Sequence, residues 1–327
     1  MKEFLELVRW RNLLIIIITM VLMRYAVIAP LLSKIMITPV NNPATKEIMQ
    51  LQFPLPAFFL LVLATVLIAA GGYVINDYFD IRADLINRGK VIVGTRIERR
   101  TAMLWHLVLN VVGVLIGFFI SWLSGFLMMG ALFLIVSGLL YFYSASYKKQ
   151  FLVGNIIVAL LTAAVPMIVA LYEWPALYRY YAVNAVKSPE MGFILYWVGG
   201  FALFAFLTTL AREIIKDIED FAGDREYGRN TVPVVLGIVP AKIVSLAINA
   251  VTVALLYLAW FRYVRDNITL IYISVGVVIP IVISTFVLMK ENGREKLHLS
   301  GNMMKVAMFF GVLYSVVVSI ILKWNLF

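Results

Sequence analysis

Nine apolar runs dominate this sequence, at about 12–32, 55–75, 103–122, 124–143, 152–172, 192–211, 241–261, 268–289 and 303–322. A hydrocarbon core of about 30 Å takes roughly 20 helical residues, and lipid-exposed backbone must satisfy its own polar groups. The pattern predicts an all-α, polytopic membrane protein with nine transmembrane helices. The first run is too long for a secretory leader's apolar core, and no small-residue cleavage site follows it. Residues 1–11 read as a short amphipathic interfacial helix ahead of it.

Composition excludes the other classes. Of 327 residues, 63% are hydrophobic and 14% charged, against about 45–50% and about 25% in a soluble domain. A disordered chain and a soluble nucleic-acid-binding domain are ruled out, despite the net charge of +10. With no cysteine, disulfides, thiol nucleophiles and thiolate metal sites are out. The two histidines, His106 and His298, are too few for a multi-histidine metal site, and His106 reads as packing. Charge placement gives an orientation instead. With the N-terminus cytoplasmic, twenty lysines and arginines fall on that side and seven on the other, which puts the C-terminus opposite. Arg99, Arg100, Lys149 and Arg294 read as anchors of that kind.

Half of the 18 acidic residues lie in two short windows at the cytoplasmic ends of spans two and six. Asp77, Asp80 and Asp84 repeat as D-x2-D-x3-D, and so do Asp217, Asp220 and Asp224, 140 positions later. In a helix, positions i, i+3 and i+7 fall within roughly 60° of one another, so each window is expected to present one acidic face. Aligned carboxylates repel, and at a membrane boundary they are expensive to keep charged. A single window would pass for a solvated helix end laced with ion pairs. Two with the same spacing at equivalent span ends favour a cation site. Hard oxygen donors suit Mg²⁺, which takes one or two carboxylates and the rest from phosphates. Two acidic faces across a cavity would hold two ions bridging a diphosphate. Arg88, Lys90, Lys148, Lys216 and Arg225 are candidates for its remaining oxygens. A cation-coupled transporter is the alternative of another class. Its site would lie near the midplane on broken helices, whereas these carboxylates sit at the boundary.

With these motifs the chain resembles the UbiA family of intramembrane prenyltransferases over nearly its whole length. Asn76, Asp77, Asp80 and Asp84 match N-D-x-x-D-x-x-x-D, and the second aspartate motif is met by Asp217, Asp220 and Asp224. Tyr143, Ser144 and Lys148 resemble Y-S-x-x-x-K, Gly154-Asn155 the G-N of the fifth helix, and Arg9-Trp10-Arg11-Asn12 the family's R-P-x-N. The resemblance implies one domain over 1–327, a bundle around a central cavity, and a cytoplasmic cap from the loops after spans two and six. It implies Mg²⁺-dependent ionisation of an isoprenoid diphosphate and transfer of the allylic cation to a lipophilic acceptor. Tyr143 would lie near that cation, while Asn12, Asn76, Ser144 and Asn155 would line the pocket. Within the family, Arg212–Asp224 and Ile86-Asn87-Arg88 most resemble the geranylgeranyltransferases acting on a glyceryl-phosphate lipid in ether-lipid synthesis, an acceptor whose phosphate the loop cations Lys90, Arg96, Arg99 and Arg100 could meet. The run Asn87–Gly94 departs from the family by lacking two prolines beside the acceptor. That keeps an aromatic acceptor (dihydroxynaphthoate, homogentisate) or a chlorophyllide-type macrocycle as alternatives.

Overall fold

Apolar runs of this length close their hydrogen bonds as helices, and the computed structural model, which describes residues 2–88, 91–290 and 293–324 with backbone alone for 82–84 and 86–88, folds them so. After the short helix α1 (Lys2–Leu7) come α2 (Trp10–Leu32), α3 (Leu55–Arg88), α4 (Arg99–Leu123), α5 (Leu127–Ala145), α6 (Val153–Asn184) and α7 (Gly192–Glu219). Two short helices, α8 (Phe221–Glu226) and α9 (Val232–Leu236), precede α10 (Ile238–Val264), α11 (Asn267–Lys290) and α12 (Arg294–Trp324). Among the described residues nine of these are long and apolar enough to cross a membrane. The chain is a multi-pass membrane protein. Its only sheet among the described residues is the antiparallel pair β1 (Met36–Ile37) and β2 (Glu47–Ile48), with Met36 opposite Ile48.

The chain forms two compact units. The first comprises Met1–Ile18, Pro54–Ile157 and Asp220–Gly237. There Leu7 at the end of α1 and Val8 just after it enter a buried cluster with Ala70 and Val74 of α3 and Ala102 of α4. Helices α3 and α4 approach closely at Gly71, where a Cβ would stand 2.1 Å from the Asn110 amide nitrogen. His106 is more than packing: its Nδ1 lies 2.9 Å from the Gly71 carbonyl, Asn110 bonds it, and Ser137 donates to Asn110 at 2.7 Å. Such chains tie helices together where lipid offers no partner. The described part of the proline-free loop is a tight turn. Gly94 adopts φ 90°, which suits glycine alone, its N–H donates to Ile97 at 2.8 Å, and Val93 is fully buried.

The second unit comprises Thr19–Phe53, Val158–Glu219 and Ile238–Phe327. Helix α2 widens to a π turn over Met23–Ile28, just before Pro30. The proline ring crowds the carbonyl four residues back, and a wider turn relieves it; Ile273–Val278 before Pro280 repeats the device. Arg24, inside this turn, donates to the Phe53 carbonyl and lies 3.8 Å from Glu173. Glu173 accepts the backbone N–H groups of Gln52 and Phe53 at 2.6 and 2.9 Å. A buried ion pair thus caps the chain entering α3.

Candidate active site

The first aspartate motif lies on one unbroken helix. Helix α3 runs on to Arg88, so Asp77, Asp80 and Asp84 share its face as their spacing requires. The second does not, which corrects the expectation of a second continuous acidic face. Helix α7 stops at Glu219 and α8 starts at Phe221, leaving Asp220 in the break between Asp217 and Asp224. The boundary between the two units falls at this break.

Within the first unit the two motifs meet. Arg229, just after α8, places Nη2 2.5 Å from Asp80 Oδ1 and Nη1 3.2 Å from Asp224 Oδ1. Lys148 Nζ reaches the same Asp80 oxygen at 2.7 Å and Asn76 Oδ1 at 3.4 Å. Asp80, Lys148 and Asp224 are all buried. Burial opposes the Arg229 charge, but Asp80 and Asp224 outweigh it and raise the guanidinium above its ordinary pKa. Tyr143, half-buried, lies within electrostatic range of Arg229. Arg9 Nη2 pairs with Asp77 at 2.8 Å and sits over the Tyr73 ring.

Local packing sets these positions. Lys148 stands in the short turn Tyr147–Lys149 between α5 and α6. Its backbone rests on Gly154, where a Cβ would lie 2.7 Å from the Lys148 Cα. Glycine opens the fifth span because backbone passes over it. Lys149 carries the turn onward: its carbonyl accepts the Asn230 N–H at 2.8 Å, tying the turn to the residue after Arg229.

The remaining predicted residues fall as follows. Asn155 is buried one residue past Gly154. Ser144 is buried and donates to Leu140 of its own helix at 2.9 Å, so its hydroxyl serves α5. Asn12 and Arg225 are exposed. In the second unit Asp217 is half-buried, and Lys216 pairs with Glu213 at 3.2 Å, as does Arg212 at 2.7 Å. Lys90 and the side chains of Asp84 and Arg88 lie outside the described residues. Arg229 and Arg9 are the additions. Arg9 stood in the R-W-R-N stretch, while Arg229 counted only as a cytoplasmic charge.

The donor set fits Mg²⁺. The candidate donors are hard carboxylate oxygens, the type this ion takes, and one guanidinium spans carboxylates of both motifs. Among the described residues no three acidic or histidine side chains close into a metal cage. Mg²⁺ does not need one, since it completes its shell with phosphate oxygens and water.

Nine apolar spans and two acidic motifs, joined through Arg229, define a helical membrane protein with a buried charge cluster drawn from both motifs. The chain belongs to the UbiA prenyltransferase family, whose model matches residues 49–321, and it is a prenyltransferase. It is 32% identical to the digeranylgeranylglyceryl phosphate synthase of Methanosphaera stadtmanae over 74% of this chain and 81% of that protein. It is 35% identical to that of Sulfolobus acidocaldarius over 77% and 82%. Among solved structures, a digeranylgeranylglyceryl phosphate synthase superposes with TM-score 0.65 at 23% identity, covering 98% of both chains. A UbiA homologue from Archaeoglobus fulgidus bound to DMAPP and Mg²⁺ superposes with TM-score 0.54 at 16% identity, covering 96% of this chain and 99% of that one. At those identities the likeness shows the fold.

Proposed function

We propose that this prenyltransferase moves a geranylgeranyl group from its diphosphate to the free hydroxyl of geranylgeranylglyceryl phosphate, as one domain over 1–327. The observation that carries the site is the Arg229 bridge from Asp80 to Asp224, with Lys148 on the same Asp80 oxygen. The names of the synthase relatives support the acceptor. The hydroxyl oxygen forms a bond to the first prenyl carbon as that carbon's bond to the diphosphate breaks. The bonding pair leaves with the diphosphate, and the hydroxyl proton passes to solvent.

Asp77, Asp80, Asp84, Asp217, Asp220 and Asp224 would hold two Mg²⁺ ions, which when bound neutralise the leaving diphosphate. Lys148 and Arg229 orient that diphosphate, with Arg88, Lys90, Lys216 and Arg225 supplying further positive charge. Tyr143 turns its ring to the developing allylic cation. Bulk water is kept from the cation by the apolar spans around a central cavity, under a cap from the loops after α3 and α7. The cap and the N-terminus face the cytoplasm, in line with the positive-inside bias. A protease added outside intact cells should leave an N-terminal tag uncut; cleavage would invert the topology.

The acceptor is tested with purified protein, Mg²⁺ and geranylgeranyl diphosphate, offering geranylgeranylglyceryl phosphate and dihydroxynaphthoate together. Mass spectrometry should show one geranylgeranyl unit added to the glyceryl phosphate. Addition to the ring alone would overturn the acceptor and leave the site intact.

A further inference from the structure

Arg229 also lines a cavity of about 350 Å³ in the first unit. Its walls carry two more cations, Arg99 and Lys149, and three aromatic rings, Tyr78, Phe79 and Tyr227. Arg99 opens α4 and lies 4.9 Å over the Tyr78 ring. Asp80 and Asp224 are matched by Lys148 and Arg229. Among the described residues neither Arg99 nor Lys149 has an acidic partner, and no acid lines the cavity. Orientation by charge explains basic residues on this side, but not their convergence on one walled space. Two surplus charges beside rings with phenolic hydroxyls suit a dianion carried on an apolar body.

We propose that this cavity seats the phosphate of the acceptor, a phosphate monoester on a lipid, with Arg99 and Lys149 as its specificity-determining residues. The inference rests on the acceptor proposed above. In such an acceptor phosphate and reacting hydroxyl share one three-carbon glycerol. A phosphate held beside Arg229 therefore keeps the hydroxyl next to the residue that bridges Asp80 and Asp224. Phe79 and the aromatic rims of the tyrosines offer the glycerol an apolar wall.

The test measures KM for each substrate in wild type, Arg99→Gln, Lys149→Gln and the double variant, in phospholipid-free detergent. Each substitution should raise KM for geranylgeranylglyceryl phosphate about tenfold, the scale of one charge-assisted hydrogen bond. KM for geranylgeranyl diphosphate should change less than twofold. Transfer to dephosphorylated geranylgeranylglycerol should be poor in wild type and no worse in the variants, which also shows that they fold. An unchanged KM for the phosphorylated acceptor, or an equal rise for the diphosphate, overturns the proposal. So does a shift seen only when anionic lipid is added, because that assigns the cavity to a bilayer headgroup. If wild type prenylates no glyceryl phosphate, the acceptor reading itself fails. The cavity is then judged by glycerol phosphate, which should raise the unfolding temperature of wild type and not of the double variant; equal shifts would overturn the phosphate site as well.

Discussion

The Cα of Lys148 lies so close over Gly154 that a Cβ at position 154 would stand 2.7 Å from it. Backbone, unlike a side-chain tip, has nowhere cheap to move. Gly154→Ala should therefore shift Lys148 off Asp80 without touching either charge. The expected result is a KM for prenyl diphosphate raised roughly tenfold or more, the scale of a lost charge-assisted hydrogen bond. KM for the acceptor should stay within about twofold of wild type. Steady-state kinetics with each substrate varied in turn checks this, and equal effects on both would count against a lysine dedicated to the diphosphate.

Arg229 holds two buried carboxylates at once. Removing it leaves Asp80 with Lys148 and takes a cation away from buried Asp224, and breaking a buried pair costs up to about 3–5 kcal/mol. Arg229→Ala should lower the unfolding temperature in detergent far more than Arg225→Ala, whose side chain is exposed. Arg229→Lys should recover little, because an ammonium lacks the planar fork that reaches Asp80 and Asp224 together. Unfolding curves matching wild type for Arg229→Ala would contradict the bridge.

At Arg9 two effects are superimposed. The residue sits at φ 51° between α1 and α2, and its side chain pairs with Asp77. A left-handed backbone costs a residue with a Cβ about 1–2 kcal/mol, while a half-exposed ion pair is worth about 0–1 kcal/mol. Arg9→Gly should thus be as stable as wild type or more so, and Arg9→Ala less stable than Arg9→Gly by about 1 kcal/mol. Chemical unfolding of the three proteins separates them; equal stability of the alanine and glycine variants would remove the backbone term.

Glu173 accepts two backbone N–H groups and faces Arg24 in the second unit. Glu173→Ala should cost about 3–5 kcal/mol, and Glu173→Gln less, since both N–H groups meet the same oxygen, Oε1, and an amide oxygen there still accepts them. Thermal unfolding in one detergent ranks them, and a glutamine variant less stable than alanine would contradict the capping role.

The nine spans were legible because hydrocarbon demands long apolar runs, and α3 carries its aspartates as their spacing implied. The break at Asp220 was not, because periodicity records which residues share a face only while the helix continues. Lys148 stood out beside a matching motif. Arg229 did not: its partner Asp80 is 149 positions away, and pairing across such a distance leaves no periodic trace. Lys149 was read as an anchor for the same reason, and Arg99 as an anchor or one of four loop cations open to the acceptor's phosphate, since a charge count cannot show which charges converge.

The most direct measurement follows diphosphate release from geranylgeranyl diphosphate, with geranylgeranylglyceryl phosphate present, in wild type, Asp80→Asn and Asp224→Asn. Wild type should release diphosphate with Mg²⁺, stop in EDTA and resume when Mg²⁺ is restored. Each asparagine variant should lose on the order of a hundredfold in turnover, the scale of losing one group that stabilises developing charge. Wild-type turnover in either variant, or undiminished release in EDTA, would contradict a site built from both aspartate motifs.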